Sequence, residues 1–594
     1  MFGYPAFHEP QEAIVLHLVA GGDAIVLMPT GGGKSICYQI PALVRPGVGL
    51  VVSPLIALMQ DQVDALKELG VAAAFLNSSL TADAANQVER AVRAGEVKLL
   101  YVAPERLLTP RFLALLDHLD TEGRLGLFAI DEAHCVSQWG HDFRAEYLQL
   151  TVLAERFPKV PRVALTATAD AMTRQEIRDR LHLNGAREFV ASFDRPNIRY
   201  TIAERDDEHK QLRVFLSEHP DEAGIVYCLS RKKVDATAAW LAKSGLKALP
   251  YHAGMDSAAR RSNQLRFLRE DGVIMVATIA FGMGIDKPDV RFVVHLDLPK
   301  SIESYYQETG RAGRDAQHSD AWMLYGLSDV VQQRRMIDTG EAEEAYKRVA
   351  RGKLDTLLGL CETPTCRRAR LLNYFGEPRA EDYRCGNCDN CLAPPETWDA
   401  SEPVRMALSA IYRTGQRYGA AYLIDILRGN ANATVKERGH EGLSVFGIGG
   451  TLTAMEWRSV FRQLVALGWV EVDTEGYGTL RLTTAARPVL RGETRALLRR
   501  TADGAKPKRD KKPRLEVEGL SAAELALFDR LKVWRRDTAA ADNVPAYVIL
   551  HDRVLREIAL GKPTSIAALG RISGIGENKL RRFGERLLAL VHAA

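Results

Sequence analysis

Short apolar runs recur along the first half of the chain, each ending at a polar or glycine-rich turn. Ala24-Ile25-Val26-Leu27, Gly49-Leu50-Val51-Val52-Ser53, Lys98-Leu99-Leu100-Tyr101-Val102, Leu127-Phe128-Ala129-Ile130 and Val163-Ala164-Leu165-Thr166 are all of this kind. Apolar runs without polar alternation fit strands buried on both faces of a parallel sheet. Helical stretches lie between them, so the alternation predicts an α/β lobe over residues 1–197. The pattern restarts at Gly224-Ile225-Val226-Tyr227 and Val273-Ile274-Met275-Val276-Ala277, which predicts a second α/β lobe over residues 198–340.

Beyond residue 340 the pattern changes. Residues 341–397 carry a cysteine cluster. Residues 398–495 are predicted as helices followed by a hairpin, with Gly468-Trp469-Val470-Glu471-Val472 and Thr479-Leu480-Arg481-Leu482-Thr483 as its strands. Residues 496–515 include Lys506-Pro507-Lys508-Arg509-Asp510-Lys511-Lys512-Pro513-Arg514, a solvated charged linker. Residues 516–594 read as helical throughout. A length of 594 residues agrees with about four domains, and a composition 46% hydrophobic and 26% charged supplies several cores. The net charge of +4 is too small to identify a nucleic-acid partner. No apolar run approaches ~18 residues and the first residues offer no basic leader, so the expected setting is the cytoplasm, away from membranes. Eight cysteines in such a chain point to thiols or metal rather than to a disulfide framework.

In parallel sheets ligands gather at the carboxyl ends of strands, where these polar turns fall. Met28-Pro29-Thr30-Gly31-Gly32-Gly33-Lys34-Ser35 follows the first apolar run and opens a predicted helix. Strand, glycine-rich turn and helix make a phosphate loop: backbone N–H groups of Thr30, Gly31, Gly32 and Gly33 face an anion at a helix N-terminus. Lys34 reaches the β- and γ-phosphates and Ser35 offers its hydroxyl to Mg²⁺. The common pattern has glycine where Met28 stands. Asp131-Glu132-Ala133-His134 follows another apolar run; Asp131 suits Mg²⁺ and Glu132 suits orienting and deprotonating a water. In the second lobe, Arg311 and Arg314 can be presented across a cleft to a γ-phosphate, an arrangement that typically accelerates phosphoryl transfer by about 10³–10⁵. Cys385, Cys388 and Cys391 form two overlapping Cys-x-x-Cys steps, which with either Cys361 or Cys366 make a tetrahedral zinc site; an iron–sulfur cluster is the second reading.

These blocks resemble the superfamily 2 helicases, and specifically the RecQ family of DNA helicases, over nearly the whole chain. Ser53-Pro54-Leu55-Ile56-Ala57-Leu58-Met59-Gln60-Asp61-Gln62 resembles the family's first nucleic-acid motif, and Ser137-Gln138-Trp139-Gly140-His141-Asp142-Phe143-Arg144 its aromatic-rich loop. Ser53, Trp139, Phe143 and Arg144 are thereby implied in DNA binding, with the rings as stacking faces. Gln307-Glu308-Thr309-Gly310-Arg311-Ala312-Gly313-Arg314 resembles the last helicase motif, which adds Gln307 to the implied catalytic set. Cys366-Arg367-Arg368 resembles the family's zinc motif, so the resemblance selects Cys366 as the fourth ligand. Gly3-Tyr4, Phe7 and Gln11 resemble the adenine-recognition motif, with Tyr4 to stack and Gln11 to read the base edge. The motif stands at the start of the sequence, where the family has a leading helix.

The expected fold is therefore two RecA-like lobes, a helical zinc module, a winged helix with Tyr477 in its hairpin turn, and a small all-α HRDC domain with Tyr547 toward single strands. The implied activity is ATP- and Mg²⁺-dependent 3′→5′ unwinding of DNA in recombination, repair and replication restart. The implied partners are single-stranded and duplex DNA and a single-strand-binding protein; the expected state is a monomer at the bacterial nucleoid. An RNA helicase is opposed by the tail modules. A non-enzymatic DNA scaffold is opposed by intact Lys34, Asp131, Glu132, Arg311 and Arg314. One departure is testable: His8 stands where the family usually has Arg, and neutral imidazole carries no fixed charge. His8→Arg is expected to tighten nucleotide binding and flatten its pH dependence in a fluorescent-nucleotide titration; unchanged affinity would contradict this.

Overall fold

The computed structural model describes residues 6–137, 144–281, 285, 287–380, 382–473, 479–500, 520–542 and 544–593. Tyr4, Trp139, Phe143, Tyr477 and the basic linker lie outside the described residues.

The first lobe is a seven-stranded sheet of β1 (Ala24–Leu27), β2 (Val48–Val52), β3 (Ala73–Leu76), β4 (Leu99–Val102), β5 (Leu125–Ile130), β6 (Arg162–Thr166) and β7 (Arg187–Val190), ordered β3-β4-β2-β5-β6-β1-β7. Its described pairings are parallel. Successive side chains leave a strand on opposite faces, and both faces are covered. Ile25 and Leu27 join Leu50 and Val52 in one apolar cluster, while Val26 joins Val51 and Leu165 in another. The second lobe holds β8 (Ile198–Glu204), β9 (Gly224–Tyr227), β10 (Ala248–Tyr251), β11 (Ile274–Ala277), β12 (Phe292–His295) and β13 (Ser319–Tyr325), ordered β10-β11-β9-β12-β13-β8, again parallel. The strands that the apolar pattern did not mark include β3, β7, β8 and β10. All four are sheet edges; β3, β7 and β10 are incompletely buried and β8 alternates, so none reads as an unbroken apolar run.

A cysteine knuckle packs against the free side of β8, Arg368 of helix Arg367–Tyr374 donates to Ile198 O at 2.7 Å, and helix Glu344–Glu362 packs against helices of the second lobe. Tyr200 of β8 makes a parallel bridge with Cys388, and the Ile202 N–H donates to Asp389 Oδ2 at 3.0 Å. Helices Ser401–Arg413, Ala420–Arg428 and Ala454–Ala466 precede the antiparallel pair Val470–Asp473 and Thr479–Leu482, the predicted helix-then-hairpin order. Trp457 is fully buried there, its indole donating to Gly449 O at 2.8 Å. The last module packs helices Ala522–Ala541, Asp552–Gly561 and Glu577–His592 around Leu527, Leu531, Leu555, Ile558 and Leu587. No helix among the described residues is long and apolar enough to cross a membrane.

Arg367 joins the knuckle to the rest. It is 1% exposed; its Nε donates to Asp389 Oδ1 at 2.6 Å and its Nη1 to Leu360 O and Cys361 O at 2.8 and 3.1 Å. The Asp389 side chain is 21% exposed and keeps its backbone donors, so removing the guanidinium chiefly leaves buried carbonyls without a partner, at a cost of about 1–3 kcal/mol. Arg367→Met is expected to lower unfolding stability by that order in a denaturant titration; an unchanged midpoint would show that the guanidinium contributes nothing.

Candidate nucleotide site and cysteine cluster

The turn after β1 and the helix Lys34–Val44 form the loop foreseen from sequence. Gly31 and Gly33 have φ of +80° and +79°, a region that L side chains rarely adopt. A Cβ on Gly33 would also lie 2.5 Å from Gln11 Nε2. Lys34 Nζ donates inside the loop to Met28 O at 3.1 Å and Pro29 O at 3.4 Å. Burial lowers its pKa, against the pull of Glu132 and Asp131. Such a cradle of left-handed glycines with a buried ammonium fits a polyphosphate.

Asp131 and Glu132 follow β5. Asp131 is buried, and burial together with the neighbouring Glu132 pushes its carboxyl up to about 7, against the attraction of Lys34. Two adjacent carboxylates that repel each other leave anionic oxygens for a cation to neutralise, and Asp131, with the Ser35 hydroxyl in the first turn of helix Lys34–Val44, offers oxygen donors of the kind that fit Mg²⁺. Glu132 has φ +48°, a left-handed conformation uncommon for a residue with a side chain. Two anchors hold that turn: the Asp131 N–H donates to Val52 O at 2.9 Å, and Tyr147 OH donates to Asp131 O at 2.8 Å. Glu132 Oε2 lies 3.4 Å from His134 Nδ1, which is 3.0 Å from Thr166 Oγ1 at the end of β6.

The second lobe reaches this site through the end of helix Ile302–Thr309. The Arg314 side chain packs on the phosphate loop: its Cγ is 3.2 Å from where a Cβ on Gly31 would stand. Arg311 is buried and, with Gln307, lines a cavity of ≈ 240 Å³ shared with Tyr227, His295 and Asp297 of its own lobe. Arg195, which the sequence reading passed over, donates to Thr30 O in the phosphate loop and to Gly310 O, Ala312 O and Gly313 O.

Other predicted residues are placed differently from expectation. The Gln11 amide accepts from the His8 N–H at 2.8 Å and donates to Gly33 O at 3.2 Å, so it is engaged with the loop rather than open to a base edge. His8 is exposed. Ser53 is 1% exposed and offers no surface to a strand, its neighbours Val52 and Leu55 being buried as well. Arg144 is half-buried; its N–H donates to Cys135 O at 3.0 Å and its guanidinium to Pro54 O at 3.0 Å, joining the turns after β5 and β2. Tyr547 is half-buried in a crevice with Leu268, Lys287 and Asp315 of the second lobe, so its ring is covered rather than presented.

The sulfurs of Cys366, Cys385, Cys388 and Cys391 lie within 4.8 Å of one another. Hydrogen bonds from Cys385 and Cys388 pull the Cys366 thiol well below its ordinary range. Four clustered thiols, one already inclined to ionise, fit a closed tetrahedral zinc site. Cys361 stands apart from this group, and burial pushes its thiol up.

Family descriptions match successive parts of the chain: DEAD/DEAH box helicase over residues 8–177, helicase conserved C-terminal domain over 207–316, RecQ zinc-binding over 327–392, RQC domain over 394–507 and HRDC domain over 524–591. The ATP-dependent DNA helicase RecQ of Haemophilus influenzae is 45% identical over 592 residues, covering 100% of this chain and 94% of that protein. The proteins of the same name from Pasteurella multocida and Bacillus subtilis are 43% and 36% identical, covering 100% of this chain and 92% and 97% of their own lengths. The loop, acidic turn and cysteine cluster thus sit in a chain that matches such helicases from end to end, and it belongs to the RecQ family of ATP-dependent DNA helicases.

Proposed function

We propose that this ATP-dependent DNA helicase moves 3′→5′ on one strand and separates duplex DNA in recombination, repair and replication restart. Lys34 neutralises the β- and γ-phosphates held by the amides of the glycine loop. Glu132 takes the proton from the attacking water. Arg311 and Arg314 meet the charge that develops on the transferred phosphoryl group. Gln307 supports the same motif. Ser35 and Asp131 hold Mg²⁺, which supplies charge neutralisation at the phosphates when bound. Tyr4, His8 and Gln11 take the base, which requires Gln11 to exchange its loop contacts for the adenine edge. The observation that carries this reading is the packing of Arg314 on Gly31: the backbone and stem of an arginine from the second lobe lie against the phosphate loop of the first, close enough for its charge to act on Lys34. Hydrolysis then depends on lobe closure, and closure is what moves the lobes along DNA.

Trp139, Phe143 and Arg144 grip the single strand, and the link from Arg144 to Cys135 carries occupancy to the acidic turn. The winged helix takes duplex DNA with Tyr477 at its hairpin. Tyr547 reaches single strands once the last module leaves the second lobe. Cys366, Cys385, Cys388 and Cys391 hold zinc. The chain acts as a monomer in the bacterial cytoplasm at the nucleoid, with a single-strand-binding protein as partner.

Two experiments test this reading. The full chain is expected to hydrolyse ATP and separate 3′-tailed DNA duplexes but not 5′-tailed or RNA duplexes, and Lys34→Ala is expected to lower the turnover by at least about 100-fold. Activity on 5′-tailed DNA alone would overturn the polarity. The purified protein is expected to contain stoichiometric zinc, whose binding contributes folding free energy on the order of 10 kcal/mol. Chelation is therefore expected to lower the melting temperature sharply, and a metal-free protein that melts normally would remove zinc from the account.

A further inference from the structure

The chain passes from the first lobe to the second through Asp194-Arg195-Pro196-Asn197. Arg195 is 9% exposed, and its described hydrogen bonds all go to main-chain carbonyls. Nη1 reaches Thr30 O at 2.5 Å and Gly310 O at 3.1 Å; Nη2 reaches Ala312 O at 2.9 Å and Gly313 O at 3.0 Å. Three of these acceptors follow the C-terminus of helix Ile302–Thr309, the negative end of its dipole. One planar fork therefore satisfies the turn that carries Arg311 and Arg314 and ties it to the phosphate loop.

The turn has little freedom around that fork. Gly313 has φ +57°, and a Cβ there would meet Asn197 Nδ2 at 2.4 Å. The same Asn197 amide donates to Gly313 O and Gln317 O, each at 2.8 Å. The crossing segment is itself held from behind. Arg368 donates to Asp194 Oδ1 at 2.9 Å and to Ile198 O at 2.7 Å, Asn387 donates to Pro196 O at 2.9 Å, and Tyr306 OH donates to Phe193 O at 2.7 Å.

We propose that Arg195 is a positioning residue for hydrolysis: it fixes the Gly310-to-Gly313 turn against Thr30, so that Arg311 and Arg314 meet the phosphates of a bound nucleotide, without touching the nucleotide itself. This rests on the reading of those two arginines given above. A guanidinium is needed because its fixed fork spans acceptors in both lobes, whereas a lysine ammonium is a single point of donation. Burying such a cation against carbonyls alone is costly, and the turn gains a defined position in exchange.

The test uses the full chain with saturating single-stranded DNA, comparing wild type, Arg195→Lys, Arg195→Gln, Arg311→Ala, Arg314→Ala and the double variant Arg195→Gln/Arg314→Ala. Zinc content and melting temperature report folding. Because a misplacement of about 1 Å can cost about 100-fold, both Arg195 variants are expected to lose about 10- to 100-fold in kcat. KM for ATP is expected to stay within about threefold, since transition-state contacts rather than uniform binding are lost. Single-strand affinity is expected to hold, and the double variant to be no slower than the slower single. Full rescue by lysine, multiplicative losses in the double variant, or a raised KM at unchanged kcat would each overturn the proposal. If Arg195→Gln does not fold, Arg195→Lys decides on the kcat and KM criteria. Wild-type kcat in both Arg311→Ala and Arg314→Ala would overturn the underlying finger reading instead, while loss in those two with full activity in Arg195→Lys would overturn the positioning role alone.

Discussion

Charge that develops on a transferred phosphoryl group must be met from several sides at once, and in this chain those sides belong to two different sheets. The first sheet carries the glycine loop, Lys34, Asp131 and Glu132 at the carboxyl ends of β1 and β5. The second carries Arg311 and Arg314 in the turn after helix Ile302–Thr309. On the proposed function, neither half is a complete site. The remaining architecture is explicable as what holds the halves in register: the crossing at Arg195, the cysteine knuckle bridged to β8, and Lys353, which is within 4 Å of Asp170 in the first lobe and Glu303 in the second.

The acidic turn shows how much strain such a site carries. Glu132 in a left-handed conformation costs on the order of 1–3 kcal/mol, and Asp131 is buried beside it with its carboxyl pushed up to about 7. Both are sustained by anchors that have no chemical part to play, the Tyr147 hydroxyl on Asp131 O and the Val52 carbonyl on the Asp131 N–H.

Local chemistry was legible in the sequence. The glycine loop, the Asp131-Glu132 pair and the cysteine steps are contiguous patterns whose spacing is itself the geometry, and the core strands β1, β2, β4, β5, β6, β9 and β11 declared themselves by unbroken apolar runs. What depended on distant partners was not legible. Nothing near Gln11 in sequence says that its amide is engaged by Gly33, nothing near Ser53 says that it is covered, and nothing near Tyr547 says that the second lobe lies against it. Arg195 escaped notice for the same reason: its acceptors lie 165 positions before it and 115 to 118 after it. Edge strands such as β7 and β10 were missed because they are incompletely buried, β7 opening with Arg187-Glu188 and β10 containing Pro250, which removes the continuous apolar signature.

The position of β8 has a consequence for solubility. It is the last strand of its sheet, and its outer side would present a row of unpaired backbone groups of the kind that recruits other chains. The cysteine knuckle covers that row at Tyr200 and Ile202, while Arg368 and Asn387 take up the Ile198 carbonyl. The ion-holding module thus doubles as a guard on an adhesive border, and chains in which the knuckle has come apart would meet one another strand to strand.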